Sequence, residues 1–81
     1  MDHYIVTFNS ITDAMRAEKL VSSLGGIIVP VPSEISAGCG FAVRLNELEP
    51  AISILKSKME FSGLYCISGL GKDKSAVRIY W

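Results

Sequence analysis

Two stretches of this 81-residue chain repeat apolar residues at helical steps, and each is held between runs suited to strands. That interleaving is the strongest constraint on the fold, because a helix buries positions three and four apart whereas a strand buries every second one. The first run, Tyr4-Ile5-Val6-Thr7-Phe8, is β-branched, aromatic and apolar almost throughout, which suits a central strand covered on at least one face. Ser10-Ile11-Thr12-Asp13 has the Ser-x-x-Asp spacing of a capping box, in which side-chain oxygens satisfy the free N–H groups of a first helical turn. Ala14, Ala17, Leu20, Val21 and Leu24 then form one stripe, with Asp13, Arg16, Glu18, Lys19, Ser22 and Ser23 on the other side, until Gly25-Gly26 ends the helix.

Ile27-Ile28-Val29-Pro30-Val31 reads as a second strand, and Pro30, which cannot donate to a ladder, places it at the sheet edge. Phe41-Ala42-Val43-Arg44-Leu45 alternates as a half-buried third strand. Asn46 can cap a second helix with Glu49 three residues on and Pro50 in the first turn; Leu48, Ala51, Ile52, Leu55 and Met59 make its buried stripe, and Lys56 and Lys58 suit its dipole. Gly63 to Ser68 is a fourth strand, with Cys66 in step with Leu64 and therefore read as core. A polar turn from Gly69 to Ser75 leads to Ala76–Trp81, either a short fifth strand or a tail. The expectation is one α+β domain over 1–81, a ferredoxin-like β-α-β-β-α-β two-layer sandwich with residues 72–81 as a C-terminal extension.

Packing does not account for Pro30-Val31-Pro32-Ser33-Glu34-Ile35-Ser36-Ala37-Gly38-Cys39-Gly40, which is longer than an ordinary connection in a domain of this size. Cys39, between two glycines, has no neighbouring Cβ to shield its sulfur, and glycine lets backbone N–H groups turn toward a thiolate. The topology would place this loop beside the start of the first helix, whose partial positive charge lowers a thiol pKa and favours an anion. Gly38, Gly40, Ser36, Ser10 and Thr12 are thus candidate rim residues around a presented thiol. The opposing reading is a buried, inert Cys39 in a tight turn, with Ser10 and Thr12 serving as helix caps.

The remaining chemistry is thin. His3, the sole histidine, starts the first strand and is expected at the far end of the sheet from Cys39, against a Cys-His pair. A carboxylate at Glu34 would raise a neighbouring thiol pKa, and Arg44 either pairs with an anion at the loop or simply faces outward. One histidine and two separated cysteines do not make a metal set, and Gly69-x-Gly71 lacks the third glycine and following helix of a dinucleotide fingerprint, so no cofactor is implied. Lys plus Arg and Asp plus Glu each number 8, without a basic cluster, which argues against nucleic acid. Although 49% of residues are hydrophobic, no apolar run approaches the roughly 20 residues of a membrane span, and Met-Asp-His-Tyr is unlike a signal peptide. The expectation is a soluble cytoplasmic protein with both cysteines as thiols.

At this point the chain resembles the selenium/sulfur carrier-like family of small bacterial proteins. The resemblance rests on Tyr4-Ile5-Val6-Thr7-Phe8, Thr12-Asp13-Ala14-Met15 and the long stretch from Pro30 to Ala42. It implies that Cys39 holds sulfur or selenium as a persulfide or perselenide, received from a cysteine desulfurase-type donor and passed to an acceptor enzyme. Sulfur carriers with a Cys-Pro-x-Pro motif are similar only in size and general plan; here Pro32 and Pro30 precede Cys39 by seven and nine positions. Some relatives carry a second cysteine three residues after the first, where this chain has Ala42, which argues against a dithiol or metal mechanism.

Three functions follow for test: a non-catalytic group carrier using Cys39; a protein-binding or regulatory module in which Cys39 is structural; and a thiol oxidoreductase or transferase. Without a placed base, turnover of a small substrate unaided is the weakest of the three. A homodimer is left open, since the apolar segment Ala76–Trp81 could cover a neighbour.

Overall fold

The computed structural model describes residues 3–31, 35, 40–69 and 75–79. Strand β1 (His3–Thr7) leads into helix α1 (Ile11–Val21), a 3-10 turn (Ser22–Leu24) and β2 (Ile27–Pro30). The third strand, β3 (Phe41–Leu45), precedes helix α2 (Ala51–Lys58), β4 (Gly63–Ser68) and β5 (Ser75–Ile79). The architecture is α+β: two helices and one five-stranded antiparallel sheet in the order β2-β3-β1-β4-β5. Of the C-terminal segment readable from sequence as strand or tail, Ser75–Ile79 is a strand. It pairs with β4 from Leu64 opposite Ile79 to Ser68 opposite Ser75.

Alternation along the strands divides the interior. Val6, Phe8, Val43, Leu45 and Leu64 join Ala14, Ala17 and Val21 of α1 and Ala51, Ile52 and Leu55 of α2 in the larger core, so both helices lie on one face. Phe8 is the largest side chain completely buried there. The opposite face carries Ile5, Ala42 and Ile67 in a smaller cluster. On the edge of that cluster, the hydroxyl of buried Thr7 donates to the Gly63 carbonyl at 3.3 Å.

The end of α1 shows why two glycines stand together. Gly25 adopts φ 86°, in the left-handed region that glycine enters without a Cβ penalty, and its N–H returns to the Ser22 carbonyl. A Cβ on Gly26 would lie 2.4 Å from Cγ2 of Val21, so the chain can turn tightly against the helix only with no side chain there. Leu24, expected on the buried stripe, is 39% exposed because the 3-10 turn rotates it off the helix's inner face.

The second helix is shorter than its periodicity suggests. Asn46 does not cap it; Pro50 holds the N-cap position with no side-chain hydrogen bond, and the helix opens at Ala51. A residue preceding proline is pushed out of the helical region, so Glu49 cannot continue a helix begun at Asn46. Glu49 instead accepts a 2.6 Å hydrogen bond from the Ser53 hydroxyl, while the Leu48 carbonyl takes the Ile52 N–H at 2.9 Å.

Candidate functional site

Register fixes which loops meet. Thr7 pairs with Ala42 and with Gly63, and Pro30 pairs with Phe41. The end of β1, the end of β2 and the starts of β3 and β4 therefore share one end of the sheet, and α1 begins there four residues after Thr7. The connection from β2 to β3 leaves and re-enters at this end. Its two roots are tied by a hydrogen bond from the Val31 N–H to the Gly40 carbonyl at 3.0 Å, which extends the β2–β3 pairing by one step beyond the strands.

Ile35 is the residue of this connection that sequence reasoning overlooked. It is only 6% exposed and packs with Ile5, Ala42 and Ile67, among Val29, Val31, Tyr65 and Ala76. Ile35 thus lies on the face opposite the helices. A signal was present: Ile35 is the one bulky apolar side chain between Pro32 and Gly40, amid Ser33, Glu34, Ser36 and Ala37.

Of the residues expected around the thiol, Gly40, Ser10 and Thr12 are placed at the same end of the molecule. Gly40 is exposed, and a Cβ built on it would meet nothing within 4 Å. Its φ is outside the left-handed region, so what the glycine contributes is open space rather than an unusual backbone. Ser10 adopts extended φ and ψ (−145° and 157°), and its Oγ accepts the Asp13 N–H at 3.2 Å. Its acceptor role at the helix start is the cap the spacing predicted. Thr12 is exposed and, with Met15, Arg16 and Lys19, is part of the described lining of a shallow concavity of about 320 Å³ on the outer face of α1. Ser36, Gly38 and Cys39, together with Glu34, lie outside the described residues.

The other candidates are set apart from that end. His3 opens β1 opposite Ile67, four residues and roughly 14 Å along the strand from Thr7, as expected from its position. Arg44 is exposed near the far end of β3, between Ile27 and Ile5, roughly 10 Å along the strand from Phe41. Cys66 is a free thiol, half-buried between Tyr4 and Val77 on the neighbouring strands rather than fully enclosed as its alternation suggested. Among the described residues no group of His, Cys, Asp and Glu could hold a metal ion, and no helix is long and apolar enough to cross a membrane.

This arrangement offers a loop closed at its roots, anchored by one isoleucine, and joined at Gly40 to a residue with a nucleophilic side chain. A comparison with protein families matches residues 3–66 to the model described as "Putative Se/S carrier protein-like". The match takes in both roots of the loop, its Ile35 anchor and Cys39. No curated protein and no solved structure matches the chain. The chain belongs to the Se/S carrier protein-like family.

Proposed function

We propose that this protein is a non-catalytic carrier that holds sulfur or selenium on Cys39 and passes it between partner enzymes. The observation that carries the reading is the family match across residues 3–66, which includes the Gly38-Cys39-Gly40 segment. Supporting it, the described root of that segment, Gly40, is exposed with open space about it at the end of the sheet where α1 begins. The rim assigned to this proposed site is Gly38, Gly40, Ser36 and Thr12, while Ser10 caps the helix start beside it. The order β2-β3-β1-β4 supports a ferredoxin-like reading of the first four strands, with β5 as the extension, in a single domain over 1–81. The donor is a cysteine desulfurase-type enzyme, the acceptor an enzyme of sulfur or selenium metabolism, and the exchange is cytoplasmic.

The transfer balances without an added oxidant. On loading, the Cys39 thiolate attacks the terminal sulfur of the donor's persulfide; the new S–S bond forms as the donor's breaks, and the donor leaves as a thiolate. On delivery, an acceptor thiolate attacks the outer sulfur on Cys39, which departs again as thiolate. With a terminal selenium the same two displacements apply. A thiol that only receives and returns one atom needs access and a stabilised thiolate, not a base and an orienting third group.

Intact-mass spectrometry tests this directly. After incubation with a cysteine desulfurase and cysteine, or selenocysteine in parallel, the wild type is expected to gain one sulfur or one selenium, and Cys39→Ser to gain neither. If neither protein gains mass while Cys39 of the wild type is freely alkylated, the carrier reading is wrong.

A further inference from the structure

The two edges of the sheet differ in whether another strand can join them. On β2, the Val31 N–H reaches Gly40 across the hairpin, so by alternation residues 27, 29 and 31 face β3 while residues 28 and 30 face outward. Both outward positions are closed. The Ile28 N–H donates to Oε2 of Glu18, reaching across from α1 at 2.7 Å, and residue 30 is proline, with no N–H.

The same alternation can be followed across the sheet. With Ile28 turned away from Val43, Val43 faces Val6, Ile5 faces Tyr65, and Leu64, Cys66 and Ser68 face Ile79, Val77 and Ser75. The main chain of Ala76 and Arg78 then points away from the sheet. β5 contains no proline, no carboxylate covers it among the described residues, and Val77 at its centre is 59% exposed. The Arg78 side chain is held inward, its guanidinium 6.0 Å over the Tyr65 ring and donating to the Ser62 carbonyl.

We infer that β5 is a self-association edge, on which a second copy of this chain pairs antiparallel about a two-fold axis through Val77. That register sets Ala76 against Arg78 of the other copy on both sides of the axis. It leaves Val77 against Val77 in the close, non-hydrogen-bonded position where side chains touch best. No like charges face each other, as they would if Arg78 met Arg78, and the chain's formal net charge is zero. Nothing in this pairing asks Arg78 to release the partners of its side chain. Because β2 is closed, a head-to-tail contact from β5 to β2 cannot propagate, so the assembly stops at a dimer with one continuous sheet.

Sedimentation equilibrium from micromolar to millimolar concentration, on wild type, Val77→Lys and Ile27→Lys, tests the inference. Ile27 is the control: it is exposed on β2, the closed edge. The wild type is expected to dimerise with concentration, Val77→Lys to weaken the dimer at least about tenfold by placing two ammonium groups at the axis, and Ile27→Lys to match wild type. Equal urea midpoints for the three proteins, measured at a concentration where each is monomeric, verify that folding is unchanged. A wild type that stays monomeric throughout, a dimer unmoved by Val77→Lys, or one lost in Ile27→Lys would each overturn the proposal. None of these outcomes depends on whether Cys39 carries a chalcogen.

Discussion

The two faces of the sheet are built by different means. On one, α1 and α2 bring Ala14, Ala17, Val21, Ala51, Ile52 and Leu55 onto Val6, Phe8, Val43, Leu45 and Leu64. On the other, among the described residues, Ile5, Ala42 and Ile67 receive one buried side chain from outside the sheet, Ile35. The first face uses regular elements whose backbone hydrogen bonds are internal, so many side chains are ordered together. The second, among the described residues, adds one side chain from a connection, Ile35, and that connection is the one whose sequence carries Cys39. Stability and the proposed chemistry are thereby separated: the helical face holds the fold, and the thin face positions the loop.

That separation can be broken most forcefully from the helical side. Phe8→Ala removes the largest wholly buried side chain among the described residues and is expected to cost about 3–5 kcal/mol in urea unfolding, because the surrounding core collapses only in part. A loss below 1 kcal/mol would show that the larger core is not the principal one. Ile35→Ala should cost about 2 kcal/mol, near the low end for a buried isoleucine since one side of its site is a loop that can relax. Its distinguishing effect is local. Hydrogen exchange of the Val31 amide, which bonds to Gly40, should accelerate more than that of Val6, whereas equal acceleration would mean that the two faces unfold as one unit.

The smallest change sharpens the comparison at the end where both faces meet. Ser10→Ala removes the hydroxyl that accepts the Asp13 N–H and should cost about 1 kcal/mol, as losing a helix cap does. Sulfur loading of Cys39, followed by intact mass, should proceed at the wild-type rate. A slowed loading rate with little loss of stability would move Ser10 from the helix into the site.

Much of this was legible along the chain. The Ser-x-x-Asp spacing located the start of α1 and Pro30 the edge position of β2, while Gly25-Gly26 ends not α1, which stops at Val21, but the 3-10 turn after it. The placement of His3 away from the loop followed from strand direction alone. The second helix was misjudged at its start, since Asn46 and Glu49 have a capping spacing but Pro50 governs the residue before it. For the proposed site, Cys39 and its glycines stand out in the sequence because packing does not account for them, while Ile35 gives no signal of period because it is a lone apolar residue.

What the amino-acid order alone determined is therefore local: the helical and strand periods, the caps, the edge proline and the one loop thiol, since each depends on residues within a turn or two. The tertiary structure decided that Ser75–Ile79 pair as a fifth strand, that Glu18 closes the β2 edge through Ile28, and that Ile35 is buried on the helix-free face. Each of these joins residues far apart in the chain or on different elements. Their partners exist only once the sheet has brought them together, and no local preference encodes that meeting.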